Sequence, residues 1–374
     1  MDIDKRKLAE IEAAVRGQIS SAGGSTNSDV SEDRSNLMDR YFGEPYGDET
    51  KGRSSVVMSD VADTIEWIKP ELIEIFTAGD KAAEMSPVGA DDVAQAEVET
   101  AALNNMFYQQ NNGFLVLYEW ITDGLLQKNG YVRSDWDERQ IVEIDEYADI
   151  SVEALAEIIE EVEANDGTVE IIEQDMGEQE MPVPGPDGQP VPAVVEYISH
   201  VKLRVSRRST KYTIETIPPE DMEVSPRWNK CSLEGVPFAA HRADRPTSWL
   251  VEKGFDRKQA EALQEASEDD TEEVISRFTA EGSEETDSEN EADKSTREVV
   301  VREAYMRYDI NDDGRSELLK IWVGGDKGQI LKWEDGTHAI EEVDSVPFCA
   351  WSPIIVPHRH VGRSVAELVE VFFK

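Results

Sequence analysis

The run Ser59-Asp60-Val61-Ala62-Asp63-Thr64-Ile65-Glu66-Trp67-Ile68-Lys69-Pro70-Glu71-Leu72-Ile73-Glu74-Ile75-Phe76-Thr77-Ala78-Gly79-Asp80 decides how this 374-residue chain is read. Val61, Ile65, Ile68, Leu72 and Phe76 recur at steps of four, three, four and four, a spacing that places them on one face of a helix. Asp60 can cap the start and Gly79 can end it. Pro70 interrupts the pattern, because proline removes a hydrogen bond and crowds the preceding turn. The segment is therefore expected as two short helices, with one kinked helix as the alternative.

Working outward, the spacing predicts a helix from Asp91 or Asp92 through Phe107, ended by Gln109-Gln110-Asn111-Asn112-Gly113. Phe114, Leu117, Ile121 and Leu125 share one face of the next helix, which stops at Asn129-Gly130. That turn feeds a short strand, Tyr131 to Trp136. Towards the N-terminus, Leu8, Ile11, Val15 and Ile19 mark a helix. Ser20 to Ser28 read as a flexible segment, and a short helix is expected near Asn36 to Phe42.

Towards the C-terminus, Ser151 to Glu163 read as an acidic helix that buries Val152, Leu155, Ile158 or Ile159, and Val162. A strand follows around Val169 to Ile172, and the proline-spaced tract Met181 to Pro192 suits an exposed loop. Val194 to Val205 and Tyr212 to Ile217 alternate apolar and polar residues, as two antiparallel strands would. Trp249 to Glu252 and Arg257 to Leu263 suggest a helical hairpin about Gly254. Glu281 to Asp293 carries seven acids and no base, with nothing able to bury a core, and reads as a mobile linker. Strands return at Val299 to Val301, Ala304 to Tyr308, Leu318 to Val323 and Gln329 to Lys332. The fold class expected is α+β.

The order of these elements resembles the portal proteins of tailed bacteriophages, the head-to-tail connectors of short-tailed phages. The likeness rests on Asp60-Val61 to Pro70-Glu71-Leu72, Ile75 to Asp80, Ser86-Pro87, Asn111 to Phe114, and Asp123 to Gly130. It continues in Ile217 to Met222, Ala240-His241-Arg242, Leu250 to Asp256, Tyr308 to Leu319, Pro357-His358 and Gly362-Arg363-Ser364. The shared order over about residues 37 to 368 makes it specific.

The resemblance implies a ring of twelve copies at one capsid vertex, which guides double-stranded DNA during packaging and ejection. Its implied partners are the terminase large subunit, the capsid and scaffolding proteins, and the tail adaptor. It implies a virion location, with host cytoplasm during assembly. On this view residues 1–50 form an N-terminal arm and 51–278 a wing-like α+β domain. Residues 279–296 form an acidic linker, 297–346 a strand-rich stem or clip, and 347–374 the start of a helical segment. Subunits of the family continue from the Gly362 turn into a long helix, whereas this sequence stops at Lys374, so a C-terminally truncated form is expected.

Composition narrows the alternatives. Eighty acidic residues against thirty-seven basic ones give a formal charge of −43. Duplex DNA presents about one phosphate charge per 1.7 Å of axis, so tight general binding needs clustered lysine and arginine. The densest basic group is Arg204, Arg207, Arg208 and Lys211. The charge would suit the wall along which DNA slides without sticking that the resemblance implies, or equally a solubilised surface or a salty habitat. The two cysteines, Cys231 and Cys349, lie far apart and suggest buried, inert thiols in a reducing compartment. The apolar runs, such as Phe114 to Tyr118, are too short to span a bilayer, and no membrane partner is expected.

Among candidate chemistries the sharpest motif is Asp309-Ile310-Asn311-Asp312-Asp313-Gly314-Arg315-Ser316-Glu317, whose alternating oxygen ligands before a glycine could wrap calcium. An EF-hand would need a glutamate where Lys320 stands, so a polar hairpin turn competes with a calcium-dependent binding module. His358 and His360 could offer two imidazoles from one face of a strand, without a His/Cys cluster to complete a metal shell. Phosphate-loop, dinucleotide-binding and Gly-x-Ser-x-Gly signatures are absent from the sequence. The expectation is a structural protein with no enzymatic site, cofactor or metal.

Overall fold

A computed structural model describes residues 4–26, 29–44, 58–79, 81–165, 167–184, 190–264, 276–277, 294–325 and 328–370. The chain divides into two compact units: Met1–Trp136, Tyr212–Val251 and Phe255–Lys374 form the first, and Asp137–Lys211 with Glu252–Gly254 the second.

In the first unit, helix α1 (Lys5–Thr26) buries Ile11, Val15 and Ala22 against Phe238, Ala240, Ala304 and Ile321. The helix runs through most of the segment expected to be flexible. Helix α2 (Asp29–Phe42) starts seven residues earlier than Asn36, because Ser31, Arg34 and Ser35 are buried polar positions that an apolar-spacing argument passes over.

Helix α3 (Asp60–Thr77) is a single helix, not two pieces. Val61, Ile65 and Ile73 on both sides of Pro70 enter one core with Leu117, Ile121 and Leu125. Burying such side chains stabilises the helix by about 1.5–3 kcal/mol each, which offsets a proline cost of about 3 kcal/mol. Pro70 and Glu66 both face solvent, so the carbonyl that the proline cannot satisfy is accessible to water.

Helix α4 (Val93–Asn105) follows a 3-10 turn and ends in a π-helical turn, Met106–Gln110. Asn112, at φ 48°, redirects the chain into α5 (Gly113–Gln127). The helix expected to start at Phe114 therefore begins one residue earlier.

Strand β1 (Gly130–Ile150) is far longer than the Tyr131 to Trp136 expected. In the second unit, α6 (Val152–Ala164) is capped by Ser151, whose Oγ accepts from the Ala154 amide at 3.1 Å. Leu155 and Val162 pack on Ile198, Val201, Leu203 and Val205, while Val152, expected inside, is exposed.

Strands β2 (Thr168–Pro184) and β3 (Pro190–Ile217) form a long antiparallel ribbon. The two strands expected at 194–205 and 212–217 are one, because β3 runs on past Ser206, where its ladder with β2 ends, as a neighbour of β1 in the same sheet. Pairing also runs through Pro182↔Pro192 and Pro184↔Pro190, well into the tract expected to loop. Prolines at every second position can all fall where the N–H points away from the partner strand. Residues 185–189 lie outside the described residues.

The first unit also holds an antiparallel sheet of β4 (Met222–Val224), β5 (Phe238–Pro246), β6 (Glu298–Tyr308), β7 (Glu317–Gly324) and β8 (Gln329–Ile330), in that order. β9 (Ile340–Glu342) pairs β7. β10 (Phe348–Trp351) pairs the first residues of β1, from Gly130↔Trp351 to Arg133↔Phe348. α7 (Thr247–Glu252) and α8 (Arg257–Ala262) form the expected hairpin, with Gly254 at φ 90° between them. Leu250, Phe255 and Ala260 pack on Val299, Val301 and Trp322. A last helix, α9 (Val365–Glu370), adds Ala366 to the core of α3 and α5. The architecture is α+β, helical towards the N-terminus and strand-rich towards the C-terminus. Glu281 to Asp293 lie outside the described residues.

Candidate functional site

Residues that recur in the sequence resemblance serve as joints of the first unit. Asn111 donates from Nδ2 to the carbonyls of Met106 (2.8 Å) and Tyr212 (3.0 Å), and its Oδ1 accepts from the Ile214 amide at 3.1 Å. One amide side chain thus ends a helix and holds a strand. Asn129, fully buried, donates to the His360 carbonyl at 3.2 Å and accepts from the Gly362 amide at 3.3 Å. Ser352 Oγ donates to the Lys128 carbonyl at 2.6 Å. A Cβ on Gly362 would fall 2.5 Å from the Ile354 carbonyl oxygen, so the Gly362-Arg363-Ser364 turn needs its glycine.

Two charged clusters lie inside the same unit. Glu303, only 3% exposed, accepts from Arg133 Nε (2.9 Å) and Nη2 (3.3 Å) and from Tyr305 Oη (2.8 Å). Lys320 Nζ stands 2.8 Å from it. Burial would raise the Glu303 pKa, but Arg133 and Lys320 outweigh it and hold it at about 2. A carboxylate saturated with donors is a poor base, and the cluster ties β1, β6 and β7 together.

In the second cluster Arg277 makes a forked contact with Glu220, at 2.8 and 3.1 Å, and reaches Asp123 at 3.9 Å. Burial pushes both Asp123 and Asp221 up to about 7. Apolar periodicity in the sequence carries no trace of these charged pairs. The signal available was Arg302-Glu303 inside an otherwise apolar β run.

The residues singled out for chemistry are differently placed. The Asp309 to Glu317 segment is a turn between β6 and β7, and its oxygens are already engaged. Asp309 accepts from the amides of Asp313 (3.2 Å) and Gly314 (2.8 Å), Asn311 from Asp313 (3.0 Å), and Glu317 from Ile310 (3.1 Å). Asp312 pairs with Lys7 of α1. Among the described residues no group of three or more His, Cys, Asp or Glu could hold a metal ion.

His358 and His360 lie on a turn, not on one strand face. His358 is exposed at φ 62°, while His360 is buried with Nε2 against Tyr131 Oη (2.9 Å) and Nδ1 against the Lys230 carbonyl (3.0 Å). Cys349, expected to be buried, is exposed on the short strand β10. Cys231 is half-buried, and burial pushes its thiol pKa up, the wrong direction for a nucleophile. Two members of the basic group on β3 are paired in place: Arg204 with Glu170 at 2.7 Å and Arg207 with Glu143 at 3.7 Å.

What the first unit leaves open is apolar surface. Trp67 is 85% exposed, Ile75 71%, Val98 68% and Phe114 54%, on α3, α4 and α5. Large apolar side chains this exposed lie outside the unit's own core. Among the described residues no helix is long and apolar enough to cross a membrane.

No curated protein matches the chain significantly. The family model described as phage SU10 portal protein matches residues 11–371, nearly the whole sequence. The matched span runs from the core-facing side of α1 to the end of α9 and takes in the joints at Asn111, Asn129 and Gly362. Matched over residues 11–371, the chain belongs to the phage SU10 portal protein family.

Proposed function

We propose that this chain is the subunit of a closed ring at one capsid vertex, built by repeated head-to-tail contacts, through which phage DNA is packaged and ejected. The family match over residues 11–371 carries the reading. The exposed apolar residues of α3 to α5 are the feature that a neighbouring subunit would cover. Twelve copies, docking of terminase and then of tail adaptors, and contact with capsid and scaffolding proteins follow from the family likeness. ATP hydrolysis then belongs to terminase.

A net charge of −43 suits a conduit that repels the DNA passing through it. In this reading about 51 to 295 form the outer wing and 297 to about 346 the stem or clip. Assembly takes place in the host cytoplasm before the ring enters the virion.

Size-exclusion chromatography with light scattering, followed by electron microscopy, tests the reading. Rings with a central hole are expected. A strictly monomeric species at every concentration overturns it.

A further inference from the structure

A cavity of about 410 Å³ in the first unit is lined by Arg34, Arg227, Trp228, His358, Arg359 and His360 among others, and among the described residues by no aspartate or glutamate. In a chain whose acids outnumber its bases more than two to one, that exclusion stands out. Arg34 is buried at the inner wall and donates to the carbonyls of Gln127 (3.1 Å) and Pro219 (3.2 Å). Arg227 and Arg359 are exposed at the mouth, and neither meets a carboxylate within 4 Å among the described residues.

The frame around them is fixed. Trp228 donates from Nε1 to the Ser232 carbonyl at 2.8 Å, and its amide bonds to the Ser225 carbonyl at 2.9 Å. The Arg359 amide bonds to the Val356 carbonyl at 3.2 Å, and His360 is held from both ring nitrogens. Nδ1 facing a carbonyl carries a proton, and burial lowers the ring's pKa, which favours the neutral form with Nε2 accepting from Tyr131. The mouth therefore presents two unpaired guanidiniums on a preorganised rim.

We infer that this mouth receives an acidic surface segment of a second copy of the chain, with Arg227 and Arg359 taking its carboxylates. The inference rests on the ring reading above. Copies carrying −43 each repel one another, and closure of a ring needs a local inversion of charge at the contact. Carboxylates are the abundant anion on the approaching surface. Arginine suits them because its planar fork binds a carboxylate through two parallel bonds. The general acidity of the chain disfavours nucleic acid as the occupant.

The test uses the full chain and the double variant R227E/R359E, whose changes fall on exposed side chains, with circular dichroism to verify folding. A fluorescein-labelled octaglutamate peptide is titrated at low ionic strength, and ring formation is followed by light scattering. R204E/R207E, altered on β3 of the second unit, is the control.

Expected are peptide binding by the wild type and the control, loss of at least about tenfold in affinity in R227E/R359E, and a matching defect in ring formation. Absence of peptide binding by the wild type, or equal binding by the variant, overturns the inference. Preferential capture of a short DNA duplex, lost in the variant, assigns the mouth to phosphate and also overturns it. Equal ring formation by both proteins removes this inference and leaves the ring reading intact. A wild type that binds the peptide but never assembles removes the ring, and with it the second copy as occupant.

Discussion

Arg133 Nε donates to Glu303 Oε2 at 2.9 Å, a bond between the first residues of β1 and the middle of β6. Chain leaving the helical layer is thus fastened to the sheet by a buried ion pair. Lys320 and Tyr305 complete the carboxylate's shell from β7 and from β6 itself.

Removing Glu303 leaves the buried Arg133 and Lys320 to share Asp135 alone, 3.2 Å from each. Glu303→Ala is expected to cost about 3–5 kcal/mol, with Glu303→Gln intermediate, in urea denaturation of the isolated protein. The folded pKa is about 2 against an ordinary 4.5, so the tie's contribution is complete above about 4.5 and is lost as pH falls towards 2. The acid limb of stability should therefore flatten in Glu303→Gln. An unchanged acid limb would mean that the carboxylate is not held low.

Asp123 and Asp221 act in the opposite direction. Each carboxyl titrates at about 7 in the folded chain against an ordinary 3.8, so the folded protein holds protons that the unfolded chain releases. Stability from these groups is complete below about 3.8 and is lost as pH rises towards 7. The slope reaches about 1.4 kcal/mol per pH unit for each group. Asp123→Asn should remove its share, so melting temperatures between pH 4 and pH 8 should vary less than in the wild type. An identical pH profile would show that Arg277 neutralises Asp123 fully.

Much of this arrangement was legible in the sequence, and the failures share a cause. The step pattern of Val61, Ile65, Ile68 and Leu72 located α3 because a helix buried on one face writes that face as a period. At Pro70 the local backbone cost points to a break, and the core shared by Val61, Ile65 and Ile73 overrides it. β5 was missed because Phe238, Ala239 and Ala240 are followed by His241, Arg242, Asp244 and Arg245, a charged tail that disguises a central strand. The ion pairs at Glu303 and Arg277 join residues far apart in sequence, and no local pattern records such partners. Charge at the Arg227 and Arg359 mouth depends on which acids stay away from it, something only the folded chain expresses.

Gly124 offers a steric test of one joint. A Cβ there would lie 2.5 Å from Trp351 Cε2, while Trp351 Nε1 donates to the Trp120 carbonyl at 3.0 Å. Alanine is favoured over glycine in a helix by about 1 kcal/mol, but overpacking costs about 1–3 kcal/mol, so Gly124→Ala should be net destabilising. The loss should shrink when Trp351 is replaced by leucine, giving a coupling of about 1 kcal/mol or more in a double-mutant cycle. Additive effects would place the indole elsewhere.

The Asp309 to Glu317 turn provides the last test, because its carboxylates have two conceivable occupations. Asp309 already accepts from the Asp313 and Gly314 amides, and Gly314 sits at φ 85°, where alanine would be strained. A calcium ion would compete with those amides for the same carboxylate, and each amide bond has a net worth of about 1 kcal/mol or somewhat more with a charged acceptor. Asp309→Ala should therefore lower stability by about 1–3 kcal/mol in the presence of chelator and by the same amount with calcium added. Melting temperature of the wild type should not respond to calcium or to its removal. A saturable calcium signal in calorimetry, lost in Asp309→Ala, would show instead that the turn opens to bind the ion.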